Sequence, residues 1–245
     1  MSKLQVDQLS KTSAGADTFV LPASDGAADT FLKTDGSGVL SFAGVAGFAG
    51  IHTDVSGGSE TYTVPTGITK LLVFITGGGG GGGTGVASTD NGTGGGAAGT
   101  VIASVTVVAT DTITIAIGAG GATSTVGGDS TFTHASGSGS FDTITGPGGR
   151  PGTYSSQTSP PTAPTVGASN DGIAIKGGWP ASWLTNGNEG AASFWGGGGQ
   201  GARIGVVAAT AADAFGAGGG GGGHTPGSLD GGAGAVGVCL IMEFK

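Results

Sequence analysis

Cysteine is all but missing from this chain. A single residue, Cys239, rules out an internal disulfide framework and a cysteine-rich metal site. Charge is nearly as scarce: eight basic and 16 acidic residues leave a formal net charge of −8. That balance is too acidic and too dilute to follow a phosphate backbone, so nucleic acid is not expected as a partner. Glutamate occurs only at Glu60, Glu189 and Glu243, and arginine only at Arg150 and Arg203. No run approaches the ~18 consecutive apolar residues of a membrane-spanning helix. The opening Met1-Ser2-Lys3-Leu4-Gln5-Val6-Asp7 lacks the apolar core of an export signal. The expectation is a protein made in the cytoplasm, with no membrane insertion.

Glycine is what the chain has in excess, with 58 of 245 residues. Such a share usually marks low complexity or disorder. Collagen is excluded, because Gly77 to Gly83 run unbroken where a triple helix needs glycine at every third position. An ordered glycine costs about 0.5–1 kcal/mol relative to alanine. So many of them in a folded protein need a steric reason. The best candidate is polyglycine II: threefold extended helices packed backbone against backbone and hydrogen-bonded sideways.

Strand signals frame the glycine tracts. Near the start, Thr18-Phe19-Val20-Leu21 and Thr30-Phe31-Leu32-Lys33 are short strand-like runs. The turn Asp35-Gly36-Ser37-Gly38 before Val39-Leu40-Ser41-Phe42 predicts a hairpin. A lone hairpin is marginal, so this module is expected to associate with copies of itself or with a partner. Residues 43–50 read as a connector. Thr61 to Val64, Lys70 to Thr76, Val101 to Val108, Asp111 to Ile117 and Val236 to Phe244 read as strands, with Ile113, Ile115 and Ile117 alternating with Thr112, Thr114 and Ala116. In the last run, Val236, Val238, Leu240, Met242 and Phe244 share a face. The alanine-rich stretch from Val206 to Phe215 has the composition of a short helix. The expected architecture is all-β. A short N-terminal trimerising hairpin module spans residues 1–50, and a glycine-rich β-sandwich with polyglycine II helices and long loops spans 51–245.

Several motifs point to chemistry only weakly. Gly78, Gly80 and Gly83 satisfy a dinucleotide-binding spacing because every residue there is glycine, and outside a βαβ unit that spacing means little, so no cofactor is expected. His52, His134 and His224 show no metal-ligand spacing, and no metal is expected. No Gly-x-Ser-x-Gly nucleophile elbow occurs. Paired carboxylates for glycoside cleavage would have to meet in space, which spacing cannot show. The expectation is no enzyme.

The aromatics carry more. Trp179, Trp183, Phe194 and Trp195 lie in loop-like sequence, with Tyr154 upstream. Tryptophan suits both recognition hot spots and sugar stacking. Tyr154, Trp179, Trp183, Glu189 and Trp195 are therefore the candidate receptor contact, with Asn170, Asp171, Asn186 and Asn188 nearby. The competing assignment has the tryptophans cap the glycine layer or fill a subunit interface, since exposed tryptophans cost solubility. Arg150 and Arg203 would suit an acidic glycan, a loop hydrogen bond or a salt bridge. Cys239 on the final strand reads as a small buried apolar residue, and Asn91-Gly92-Thr93 as a turn.

The stretch from Tyr62 to Thr76 followed by Gly77 to Gly83 resembles the opening of the glycine-rich domain of bacteriophage tail fibres and adhesins. Ile113 to Gly121 and Gly231 to Val238 fit the same family in the same order, and the coverage is residues 60–245. Leu21 to Ala27 and Phe31 to Phe42 are similar to a short module of tail-fibre-like proteins, notably of marine phages. The resemblance implies a homotrimeric virion protein, a tail fibre or adhesin that attaches the virion to a host cell-surface receptor, either a glycan or an outer-membrane protein. It also implies attachment to other phage tail or fibre proteins through the N-terminus, for which Leu4, Val6 and Leu9 are the candidate residues. The alternative class is a purely structural virion appendage or decoration protein. A self-assembling glycine-rich filament is third.

Overall fold

The computed structural model describes residues 8–10, 18–24, 30–37, 39–86, 90–154, 164–180, 188–203, 207–224 and 227–245. The chain divides into two compact units, Met1–Gly47 with Lys245, and Phe48–Phe244.

In the first unit β1 (Gln8–Ser10) pairs antiparallel with β2 (Thr18–Val20), and β3 (Thr30–Thr34) with β4 (Leu40–Gly44). The second pair is the hairpin expected from sequence. Asp35 Oδ1 accepts the amides of Ser37 and Val39 at 2.7 and 3.1 Å, and Gly36 takes φ +85°, a conformation that favours glycine. Leu32 stands opposite Phe42 across the hairpin, and Phe31, Leu32, Val39 and Phe42 are all exposed.

The second unit contains a sandwich. One sheet has the order β12-β8-β7-β13-β5, with β12 Asp171–Ile175, β8 Thr100–Thr106, β7 Lys70–Thr76, β13 Val238–Phe244 and β5 Phe48–Asp54. The other has the order β11-β10-β9-β6, with β11 Ile144–Gly146, β10 Ser130–Ser136, β9 Thr112–Ile117 and β6 Gly58–Thr63. All pairings are antiparallel. Between the sheets lie Leu71, Val73, Ile75, Val101, Ala103, Val105, Cys239 and Ile241 from the first, and Tyr62, Ile113, Ile115, Ile117, Phe132 and Ile144 from the second. The alternation along β9 behaves as its pattern requires. On β13 the buried face belongs to Cys239 and Ile241, while Leu240, Met242 and Phe244 lie half-buried on the opposite face.

The strands run directly into the glycine tracts, and these form a lattice. The tract 77–85 occupies its centre. The amides of Gly77, Gly80 and Gly83 donate to Gly99, Gly96 and Thr93; those of Gly78 and Gly81 to Gly128 and Thr125; those of Gly79, Gly82 and Gly85 to Ala235, Gly232 and Leu229. The carbonyls of residues 78 and 81 accept from Gly149 and Gly152, those of 79 and 82 from Gly121 and Ser124, and those of 80 and 83 from Gly219 and Gly222. Partners thus recur every third residue. Three neighbours run antiparallel and receive the amides, and three run parallel and supply donors. This is the hydrogen bonding of a threefold extended helix, in which every backbone polar group is satisfied sideways. A Cβ on Gly79, Gly80 or Gly82 would overlap the carbonyl of Ala217, Arg150 or Gly220. The glycines are there because neighbouring backbones occupy the space of their side chains.

Several segments depart from the sequence reading. Residues 48–50 begin β5 instead of continuing a connector. Residues 207–215 contain no helix: the amides of Thr210 and Ala212 turn sideways to Gln200 and Ala233, because the lattice satisfies them in an extended conformation. β10 and β12 were hidden by composition. β10 is Ser-Thr-Phe-Thr-His-Ala-Ser and buries Phe132 as its one large apolar side chain, and β12 is a sheet-edge strand with little burial.

Candidate functional site

The sandwich closes one end of the lattice, since Thr76, Thr100, Ile117, Gly146 and Val238 are strand residues flanking glycine tracts. The opposite end, the tip, therefore belongs to turns. There 77–85 gives way to a bridge between Val86 and Asp90, the turn at 122–125 reverses the chain, the tract ending at Thr153 meets Tyr154, and Leu229 donates its amide to the carbonyl of Gly223. Arg203 and Val207 pair in a further bridge.

At this tip Thr84, Gly85, Val86, Ser124, Pro151, Gly152, Thr153, Tyr154 and Ser228 surround a recess of about 460 Å³. Its walls hang from the central tract. Ser124 donates its amide to Gly82, Gly152 to Gly81 and Gly85 to Leu229, at 2.9, 2.8 and 3.0 Å. Ser124 also takes φ +57°, a left-handed conformation rare for a non-glycine residue. Tyr154 is 59% exposed. Thr84 Oγ1 donates to Asp230 Oδ1 at 3.2 Å.

The structure disperses the receptor residues expected from sequence. Tyr154 stands at the tip. Glu189 is exposed, next to Asn188, whose amide bonds to Gly92. Asn188 itself is buried. Trp179 is 54% exposed and follows Gly178, whose carbonyl accepts from Ala97. Trp195 lies at the sandwich end: its indole N–H donates to Thr76 Oγ1 at 2.8 Å, and Phe194 packs edge-on against it at 5.1 Å. Seven residue steps of extended helix carry the chain from Thr76 to Gly83, about 20 Å. Tyr154 and Trp195 therefore do not share a contact surface. Asn170 Nδ2 braces a loop by donating to the carbonyls of Asp142 and Val166, and Asp171 begins β12. Trp183, Asn186, Leu4 and Val6 lie outside the described residues, as does the side chain of Leu9.

The ionisable groups sort into separate local pairs. His52 Nε2 lies 2.6 Å from Glu60 Oε1, and Tyr62 donates its hydroxyl to Glu243 Oε1 at 2.7 Å. Burial, reinforced by that glutamate, pushes the Tyr62 phenol well above its ordinary range. Asp111 is buried. Burial by itself would raise its carboxyl, but amides from Val108, Gly139 and Ser138, with His134 at 3.8 Å, hold it below the ordinary value. His224 Nδ1 lies 2.7 Å from Asn91 Oδ1. Arg150 keeps its Nε buried within the lattice, and Arg203 is exposed at the tip bridge. Among the described residues, no three His, Cys, Asp or Glu side chains converge as metal ligands. The recess at the tip was not legible in sequence, because its residues come from tracts up to 144 positions apart, Thr84 to Ser228.

The model of a family described as the glycine-rich domain matches residues 53–242, and the chain belongs to that family. No curated protein matches the chain.

Proposed function

We propose that this glycine-rich-domain protein is a bacteriophage tail fibre or adhesin that attaches the virion to a receptor on the host cell surface. The observation that carries the reading is the division of labour in the second unit. A lattice with its backbone groups paired sideways joins a packed sandwich at one end and displays turns, exposed Tyr154 and a recess at the other. Binding residues on loops held by a rigid scaffold can vary without unfolding the body. In this reading the segment with Leu4, Val6 and Leu9 mounts the chain on a tail or carrier fibre, and three copies assemble. Trimerisation is supported by the β3–β4 hairpin, which leaves Phe31, Leu32, Val39 and Phe42 exposed and is too small to bury them itself. Three copies turn weak contacts into avidity.

A structural appendage is the second reading, and one observation favours it. The outer face of the five-stranded sheet lines up Leu240, Phe74, Ile102 and Ile173 across the ladder, beside Ile51, Met242 and Leu72. Ile51 and Ile173 are 59% and 65% exposed. An apolar face of that kind suits another protein of the particle.

Monovalent antibody fragments against residues 51–245 separate the two. The adhesin reading requires that they decorate an appendage and block adsorption of the virus to its host. Decoration with adsorption intact would overturn it in favour of the structural role.

A further inference from the structure

The recess at the tip has a composition that selects among ligands. We propose that it binds one residue of a neutral saccharide, the pyranose ring lying on the face of Tyr154 and its hydroxyls meeting Thr84, Ser124 and Ser228. The proposal rests on the adhesin reading and assigns a ligand class to the recess that reading places at the tip.

Three features carry it. First, the lining combines one exposed aromatic ring and the apolar side chains of Val86 and Pro151 with hydroxyls and peptide groups, and it includes no Lys, Arg, His, Asp or Glu. An aromatic face covers the apolar C–H face of a pyranose, and hydroxyls exchange hydrogen bonds with the sugar's own. Second, two acidic residues adjoin the lining: Asp230 hydrogen-bonds Thr84, and Asp90 bridges to Val86. Like charge therefore disfavours a sialic acid, uronic acid or phosphate. Third, the walls are fixed before any ligand arrives. Gly81 and Gly82 of the central tract anchor Gly152 and Ser124, the amide of Gly81 donates to the carbonyl of Thr125, and Leu229 holds Gly85. Weak sugar binding depends on such preorganisation, because little conformational entropy remains to be lost. A volume of about 460 Å³ lies within the ordinary range of small-ligand sites.

Saturation-transfer NMR on the full chain tests this with five probes: D-glucose, D-galactose, N-acetyl-D-glucosamine, L-rhamnose and the acidic N-acetylneuraminic acid. Transfer to at least one neutral sugar is expected, and none to the acid. Tyr154→Ala is expected to weaken that binding about tenfold or more, while Tyr154→Phe keeps it. Ser228→Trp, which fills the recess from an exposed position, is expected to abolish it. No transfer to any neutral sugar, preference for the acidic one, or unchanged binding in both Tyr154→Ala and Ser228→Trp would overturn the proposal.

Adhesion of the purified chain to intact host cells keeps the two readings apart. If no neutral sugar binds while wild-type chain and both variants adhere equally, the saccharide site is wrong and the adhesin reading survives. If the sugar binds through Tyr154 but the chain does not adhere to cells, the site stands and the adhesin reading falls.

Discussion

Trp195 donates its indole N–H to Thr76 Oγ1 across 119 positions of sequence, at 2.8 Å. Thr76 is the last residue of β7 before the glycine run, and its hydroxyl also pairs with that of Thr100 at 2.8 Å. The tryptophan thus pins the turn at 193–196 to the junction where sheet becomes lattice. Trp195→Phe keeps most of the packing and removes this bond. The expected loss is about 1 kcal/mol, read as a lower urea midpoint with unchanged slope. Adhesion to host cells should be unaffected, and a loss of adhesion without a loss of stability would return Trp195 to the receptor surface.

The lattice makes a sharper prediction. Gly80→Ala drives a methyl group into the carbonyl of Arg150, whereas Gly197→Ala meets nothing within 4 Å. Gly80→Ala is expected to cost at least about 3 kcal/mol, the upper range of overpacking penalties, and Gly197→Ala to be neutral or mildly stabilising. Thermal unfolding of the pair measures the difference. Equal stability would mean that the central tract is not close-packed.

Asp111 sets an acid limit on the sandwich. Its carboxyl is held below the ordinary value of 3.8, so folding gains stability from it above that pH, and the gain is lost as pH falls through the folded-state value. Urea midpoints of the wild type should therefore drop progressively below pH 4. Asp111→Asn should be less stable at pH 7, because the amides of Val108, Ser138 and Gly139 lose a charged acceptor, and flatter across the acid range. A variant as stable as wild type at pH 7 would show that the carboxylate carries no such load.

The hairpin module provides the test of assembly. Leu32 and Phe42 form a directly opposed pair, 46% and 39% exposed. With Leu32→Asp and Phe42→Asp together, sedimentation should shift from the mass of three chains to that of one. A wild-type protein that sediments as a single chain would remove the trimer.

Much of the second unit could be read in advance, and the reasons are local. Lys70 to Thr76 carries β-branched and aromatic residues up to a glycine wall, and the alternation of Ile113, Ile115 and Ile117 survives into the core. The glycine run itself implied its own packing, because only backbone contact accounts for so many ordered glycines. β10 and the extended 207–213 tract were unreadable for the opposite reason. What holds them is a neighbour, Phe132 against Phe141 in one case and the carbonyls of Gln200 and Ala233 in the other.

The same distinction runs through the candidate site. The sequence by itself determined that the protein is all-β, that its glycines must be close-packed, and that Tyr154 and the tryptophans are its scarce large contact groups, since each follows from residue type and short-range pattern. Only the tertiary structure decided which of them share a surface. In a lattice with a period of three residues, the distance along a tract fixes whether a residue lies at the tip or at the sandwich. Tyr154 and Ser228, 74 residues apart, therefore face one recess, while Trp195, closer to Tyr154 in sequence, is held about 20 Å away.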